Sequence, residues 1–192
     1  MGKYASVLSK SCMLGVDLLM ILVTLGTQDK PFRRLLEAVQ KQIELGNITD
    51  KVIVQAGSTV FESNKMEIFD YIPADQFANM MEEADLIITH GGVGTIIDGV
   101  KHGKPVIVGA RLERYGEHTN DHQLQILENF SEEGYIIPLY DFEKLDEALK
   151  QAKTFKPKEM ISNTPNFINL LREEINKKTK KEKNRKSKNK EG

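Results

Sequence analysis

Short apolar runs alternate with longer amphipathic segments along most of the chain. The runs have the length of strands, and the segments between them repeat apolar residues every three or four positions, the period of a helix. The runs Asp85–Thr89 and Pro105–Val108 are centred on Leu-Ile-Ile and Val-Ile-Val, without alternation. Strands of that kind are buried on both faces, so the pattern predicts a parallel sheet of βα units with helices on both sides.

Six strands and six helices follow from this pattern. The predicted strands are Met20–Leu25, Lys51–Gln55, Glu67–Phe69, Asp85–Thr89, Pro105–Val108 and Tyr135–Leu139. The helices fill the gaps, and the first two begin at or just after a proline, which suits a first helical turn. They are Pro31–Leu45, Ala74–Glu83, Gly94–Lys101, Thr119–Asn129, Phe142–Lys153 and Pro165–Asn176. The predicted fold class is α/β, a three-layer Rossmann-like parallel sheet.

Composition divides the 192 residues into one domain and two ends. With 40% hydrophobic residues the chain is long enough for one core, which we predict over residues 20–176. Residues 1–19 are predicted to be an N-terminal extension, because the first strand begins at Met20, a second possible start. Residues 177–192 hold nine Lys and Arg against two Glu and no apolar residue, which predicts a disordered basic tail.

Charge and cysteine content narrow the function classes. The tail has a net charge of +7 and the whole chain a net charge of −1, so the rest of the chain is acidic, with a net charge of −8. The tail is either solvated or attracted to anionic lipid head groups, at about 1 kcal/mol per basic residue, and it lacks the aromatic residues that stack on nucleic-acid bases. A lone Cys12 and the lack of any apolar run of about eighteen residues predict a cytoplasmic protein without a spanning helix.

Polar loops follow several predicted strands. In an open α/β sheet, ligands bind where the carboxyl ends of the strands run into such loops. The segment Thr89–Thr95, Thr-His-Gly-Gly-Val-Gly-Thr, follows the most apolar strand and opens a helix, whose free N–H groups suit a phosphate. Gly26 and Thr27 follow the first strand in the same way. Each segment is either an anion site or a plain strand-to-helix turn.

Two stretches form a more specific pair. Ala84–Val108 contains the glycine segment, and Asn120–Leu124 reads Asn-Asp-His-Gln-Leu. Together they resemble the C-terminal, donor-binding half of GT-B glycosyltransferases of family 28, over residues 20–155. The resemblance points to the small-subunit group, which contains the catalytic subunits of two-component UDP-sugar transferases, acting on dolichol-linked GlcNAc in eukaryotes and in capsule or exopolysaccharide synthesis in bacteria.

The resemblance implies roles for individual residues. His90 faces the donor diphosphate, Asp98 contacts the ribose where relatives usually carry glutamate, and the backbone at Tyr71 and Ile72 reads the uracil. The open alternative for Asp98 is a solvated helix surface. The predicted diphosphate residues, from the resemblance and from the polar loops together, are Gly26, Thr27, His90, Gly91, Gly92, Val93, Gly94, Thr95 and Arg111. The sugar residues that the resemblance implies are Asp121, His122 and Gln123. For these last three the alternative is a capped helix start.

The loop Arg111–His118 is unusually charged. Arg111 or Arg114 is a candidate for neutralising the leaving UDP, and Glu117 or His118 for assisting proton transfer. The loop is equally compatible with a solvated surface segment. With His90, the predicted catalytic residues are therefore Glu117 and His118.

The lack of an Asp-x-Asp element predicts a metal-independent transfer with no cofactor besides a UDP-sugar donor. The resemblance implies that the chain is the catalytic subunit and that the transfer inverts the anomeric carbon. The donor supplies a hexose or N-acetylhexosamine, and the acceptor is a lipid-linked saccharide of bacterial capsule or exopolysaccharide. The resemblance implies that a membrane-anchored Rossmann-like partner completes the enzyme at the inner face of the membrane. The alternatives are a non-catalytic nucleotide-sugar-binding subunit and an NAD-binding oxidoreductase, which the incomplete G-x-G-x-x-G pattern disfavours.

Overall fold

The computed structural model describes residues 19–160 and contains all six predicted strands. Each strand lies within two residues of its predicted ends. They are β1 (Met20–Thr24), β2 (Lys51–Gln55), β3 (Glu67–Phe69), β4 (Leu86–His90), β5 (Val106–Gly109) and β6 (Ile137–Leu139). The predicted helix Pro165–Asn176, the basic tail and all but the last residue of the predicted extension lie outside the described residues.

In the described part of the chain, four α-helices lie between strands and a fifth follows β6. They are α1 (Arg33–Glu44), α2 (Ala74–Glu83), α3 (Val93–Lys101), α4 (His122–Glu132) and α5 (Leu145–Ala152), with short 3-10 helices at Glu113–Tyr115 and Phe142–Lys144. Within residues 19–160 no helix combines the length and the apolar character that crossing a bilayer requires.

The strands form one parallel sheet in the order β3-β2-β1-β4-β5-β6. Strands β1 and β4 are neighbours at its centre, and Thr24 lies opposite Thr89 near their carboxyl ends. The chain runs outward from β1 through β2 and β3 on one side, and from β4 through β5 and β6 on the other. This reversal creates a crevice between the loops after β1 and β4, which is where such sheets bind ligands.

Apolar side chains pack on both faces of the sheet. In β1, Ile21 and Val23 point to a core that contains the buried residues of α1 and α5. Leu22 points to the opposite core, formed with α2, α3 and α4. The side chains of a strand alternate between faces, so one buried strand serves both cores. The predicted fold class, three layers around a Rossmann-like parallel sheet, is confirmed.

The starts of three helices differ from the predicted ones by two or three residues, for local reasons, and α4 also ends three residues later than predicted, at Glu132. The prediction that α1 includes Pro31 is wrong, because the backbone N–H of Phe32 donates to Thr59 Oγ1 at 2.9 Å and holds Phe32 at a non-helical φ of −129°. The helix predicted from Thr119 begins one turn later, where Asn120 Oδ1 accepts the N–H of His122 at 3.2 Å. The predicted helix Phe142–Lys153 starts with a separate 3-10 turn that the side chain of Asp141 caps, and the α-helix itself begins at Leu145.

Candidate functional site

His90 ends the central strand β4, and two glycine segments enclose its ring. A Cβ atom built on Gly26 or on Gly92 would lie 2.4 Å from an atom of the imidazole, so only glycine allows the two turns to approach the ring this closely. Gly26 also has a φ of 76°, in the left-handed region that glycine adopts without strain. The loops after β1 and β4 therefore meet at this one side chain.

The enclosure changes the protonation of His90. Burial away from water, together with the nearby positive charge of Arg111, lowers its pKa to about 4. The ring nitrogen Nδ1 lies 3.4 Å from Thr89 Oγ1. A histidine with this pKa is neutral at physiological pH, so its ring carries a single N–H and adds no charge to the site.

The first turn of α3 lies beside His90. Gly92 is the N-cap residue, and no side chain caps the helix. The first N–H groups of such a helix, with the positive end of its dipole, favour an anion. Val93 is buried and Gly94 is exposed, with no atom within 4 Å of a Cβ built on it. The glycine segment thus offers donors on an accessible side and packs against the core on the other.

Gln123 connects the glycine turn to the loop after β5. Its side chain is buried, and its Oε1 accepts the backbone N–H of Gly91 at 3.2 Å and that of Arg111 at 2.9 Å. A Cβ on Gly91 would lie 2.8 Å from Gln123 Cβ. The two stretches that carry the sequence resemblance are therefore in direct contact, through the amide of Gln123.

Arg111 lies beneath the loop after β1. Its side chain is fully buried, and its Nη atoms donate to the carbonyls of Leu25 at 2.6 Å and Lys30 at 2.5 Å. Burial lowers its pKa to about 10, against the opposing effects of Glu117 and Asp29. The guanidinium remains charged at neutral pH. Its predicted contact with the diphosphate stays a prediction: backbone carbonyls accept from both Nη atoms, while the Nε has no acceptor among residues 19–160.

The charged loop is anchored to α1 at its end. Glu117 is buried, and its carboxylate accepts two hydrogen bonds of 2.7 Å from the guanidinium of Arg34. The carbonyl of the buried His118 accepts a hydrogen bond of 3.1 Å from Lys30 Nζ. The interpretation of Arg111–His118 as a wholly solvated loop is therefore wrong, and only residues 113–116 are exposed. The proposed proton-transfer roles of Glu117 and His118 stay predictions.

The remaining predicted residues are more exposed or are engaged locally. Tyr71 is exposed, whereas Ile72 is buried and donates its N–H to Gln55 Oε1 at 3.0 Å. Thr27 and Asp98 lie on the surface. The predicted sugar residues Asp121 and His122 make local contacts. The side chain of Asp121 accepts the N–H of Glu113 at 2.8 Å, and His122 Nδ1 lies 2.9 Å from Gln125 Oε1. None of these placements tests a ligand contact.

Two residues of this edge escaped the sequence analysis. Arg34 lies in an amphipathic helix, where nothing in the sequence distinguishes a functional arginine from an ordinary surface one. Gln55 had a detectable one, since it is a polar residue at the carboxyl end of the apolar strand β2, and it is buried. Among residues 19–160, no three His, Cys, Asp or Glu side chains are grouped as metal ligands.

Comparison with known proteins then identifies the family. The profile of the glycosyltransferase family 28 C-terminal domain matches residues 20–191. The chain belongs to this family. Two relatives of this family 28 chain carry the name UDP-N-acetylglucosamine transferase subunit ALG13. The protein from Candida albicans is 29% identical over 59% of this chain and 37% of its own length, and that from Saccharomyces cerevisiae is 29% identical over 60% and 57%.

Solved structures agree on the fold of the family 28 chain. A crystal structure of the glycotransferase of kitacinnamycin superposes with a TM-score of 0.54 at 21% identity, over 80% of this chain and 39% of that one. The calicheamicin glycosyltransferase CalG4 gives 0.54 at 18%, over 72% and 35%. The solution structure of ALG13 gives 0.50 at 21%, over 80% and 94%. The chain thus corresponds to about one third of the two larger enzymes.

Proposed function

We propose that this chain is the catalytic, UDP-sugar-binding subunit of a two-component inverting glycosyltransferase. The observation that carries the proposal is the enclosure of a neutral His90 between two glycine turns, beside the uncapped start of α3, at the crevice of a family 28 domain. That combination provides a neutral donor and backbone N–H groups at one place. A diphosphate, which accepts many hydrogen bonds and carries negative charge, is the ligand that this chemistry suits.

The proposed reaction depends on stabilising the departing UDP. When the bond between sugar and diphosphate breaks, the leaving phosphate gains negative charge, and donors fixed beforehand in the protein lower the energy of that state. The His90 ring and the first N–H groups of α3 would supply such donors. The reaction would need no cofactor and no metal ion. Inversion at the anomeric carbon follows from the family resemblance.

The acceptor half is proposed to lie in another subunit. The relatives are named as subunits of a UDP-N-acetylglucosamine transferase, which supports an enzyme of more than one chain. We propose a membrane-anchored Rossmann-like partner that binds a lipid-linked saccharide and brings this chain to the inner face of the membrane, with the basic tail as a second attachment. No role in nucleic-acid binding is proposed.

The donor sugar is proposed to be a hexose or N-acetylhexosamine, and UDP-GlcNAc is the first donor to test, since the relatives are named as UDP-N-acetylglucosamine transferase subunits. The proposed setting is bacterial capsule or exopolysaccharide synthesis. It is supported by the resemblance of the Tyr115–His118 loop to the bacterial subunits.

Calorimetric titration tests the binding step directly. We expect the purified chain to bind UDP and not NAD, and His90→Ala to weaken UDP binding about tenfold through loss of one hydrogen bond. His102→Ala is the matched control, because that histidine is exposed at the far end of α3. Binding of NAD in place of UDP would favour an oxidoreductase and overturn the proposal.

Reconstitution tests catalysis. The chain alone should transfer sugar slowly to a lipid-linked acceptor, and transfer should be robust after mixing with its partner subunit. Loss of transfer in the His90→Ala complex, with the partner still bound, would exclude a non-catalytic binding subunit. Full activity of the isolated chain would contradict the two-component proposal.

A further inference from the structure

Arg111 is the largest fully buried side chain of residues 19–160, with 1% of its surface exposed. A buried charge is costly unless hydrogen bonds compensate it. The aromatic ring of Phe32 covers one side of the guanidinium, 5.0 Å from the ring centre. Backbone carbonyls around the guanidinium accept its hydrogen bonds and compensate the buried charge.

The acceptors of Arg111 delimit one loop. Nη2 donates to the carbonyl of Leu25, and Nη1 to the carbonyl of Lys30. These two residues enclose the turn of residues 26–29 after β1. Because a guanidinium is planar and holds its donors in a rigid fork, one side chain fixes the distance between both ends of this loop. A second bond from Nη1, 3.4 Å to the carbonyl of Glu117, ties the same group to the loop after β5.

The loop that Arg111 holds is the one that encloses His90. Gly26 lies against the imidazole on one side, and its carbonyl is packed on the other against Gly57, whose Cβ would lie 2.5 Å from that oxygen. The position of Gly26 is therefore set within narrow limits. If Arg111 released the ends of the loop, the contact between Gly26 and the His90 ring would loosen.

We propose that Arg111 is a positioning residue of the donor site: by clamping both ends of the loop after β1, it places Gly26 against His90 before any donor binds. This inference rests on the proposed function for the identity of the donor, but the clamp itself exists in the free protein. It differs from the predicted direct contact with the diphosphate. The Nε of Arg111 has no acceptor among residues 19–160, so a direct contact is the alternative that the experiment must separate.

Hydrogen exchange in the free protein separates the two roles. In Arg111→Lys and Arg111→Met we expect the hydrogen-bonded amides on either side of the loop, those of Leu25 and Phe32, to exchange about tenfold faster than in the unchanged protein. The reason is that the hydrogen bonds from a charged group that hold the loop ends are lost. Arg33→Met is the control, since that exposed arginine lies beside the same loop and bonds to Val60 instead. Unchanged protection of the Leu25 and Phe32 amides in both Arg111 variants, with weaker UDP binding, would overturn the proposal in favour of a direct contact.

The state of His90 provides a second readout. Arg111→Lys keeps the positive charge and removes the fork, so a released loop should expose the ring and move its pKa from about 4 toward the ordinary value of 6.5. A general loss of stability would leave the titration midpoint of His90 unchanged in the molecules that remain folded. If His90 in the folded Arg111→Lys variant still titrates near pH 4, and the amides at the loop ends are still protected from exchange, the clamp is contradicted.

The unchanged protein provides a test that does not depend on how the variants fold. In its nuclear magnetic resonance spectrum, the Arg111 Nη protons should exchange slowly and show contacts to Leu25 and Lys30 without ligand, and UDP should leave those contacts in place. Their appearance only after UDP is added would overturn the proposal. If the unchanged protein does not bind UDP at all, the proposed function fails, while slow Nη protons would still establish the clamp.

Discussion

The carboxylate of Glu117 and the guanidinium of Arg34 are joined by two hydrogen bonds of 2.7 Å each. The pair connects the loop after β5 to the first turn of α1, and Glu117 Oε2 also accepts the N–H of Leu112 at 3.1 Å. Tyr115 stacks on the guanidinium at 4.1 Å. A residue predicted from the sequence as a proton-transfer group is thus engaged in an ion pair that fixes its own loop.

The first prediction concerns the stability of this pair. Glu117→Gln should lower the free energy of unfolding by about 3 kcal/mol, because it leaves a partly buried arginine without its counter-charge. Glu37→Gln is the matched control: it breaks the exposed pair with Arg33, which should cost at most about 0.5 kcal/mol. Urea denaturation measures both. Equal, small effects in the two variants would show that the buried pair contributes little.

The second prediction concerns pH. Because the pKa of His90 is lowered to about 4 in the folded protein from 6.5, the unfolded chain binds a proton first as the pH falls. The contribution to stability is complete above pH 6.5 and is lost progressively toward pH 4, by up to about 3 kcal/mol. Urea denaturation of the unchanged protein and of His90→Gln at several pH values measures this contribution of His90 to the free energy of unfolding. The expected result is a flatter pH dependence in the variant between 6.5 and 4; parallel curves would contradict the lowered pKa.

The third prediction compares two glycines of one turn. Gly92→Ala places a methyl group 2.4 Å from His90 Nε2, so the ring or the turn must move. We expect a loss of about 1–3 kcal/mol, as for other overpacked sites. Gly94→Ala meets no atom within 4 Å and lies in the first turn of α3, where alanine is favoured over glycine by up to about 1 kcal/mol. Thermal unfolding should therefore separate the two variants, and a Gly92→Ala protein as stable as Gly94→Ala would show that the His90 enclosure is loose.

The sheet was predictable from the sequence because its strands are apolar on both faces. Runs such as Leu86–Ile88 have one plausible location, the centre of a parallel sheet, and the turn residues around them mark where each strand ends. The order of strands and helices along the chain also predicted which loops lie at the carboxyl edge of the sheet. The contact between the glycine turn and Gln123 joins the two stretches that carry the resemblance.

The direction of charged side chains was not predictable. Arg111 and Glu117 belong to a charged segment, and such segments usually lie in solvent. Their burial depends on partners far away in the sequence, the carbonyl of Leu25 and the side chain of Arg34. No local pattern encodes these long-range contacts. The start of α4 was missed for a smaller reason of the same kind, since it depends on which of several polar side chains caps the helix.

The fourth prediction separates two roles of Gln123. Its Oε1 accepts two backbone N–H groups, from Gly91 and Arg111, while its Nε2 carries the donors that a sugar contact would use. Gln123→Met removes the acceptor and leaves two buried donors unsatisfied, so we expect a loss of about 3 kcal/mol in unfolding free energy. Gln123→Glu keeps acceptors at the same place and removes the donors. It should retain most of the stability and bind UDP, but bind UDP-GlcNAc no more tightly than UDP. The exposed Gln151→Met, in α5, is the control for both measurements. If Gln123→Glu binds UDP-GlcNAc as the unchanged protein does, Gln123 acts only by joining the two loops, and the predicted sugar contact must be made by other side chains.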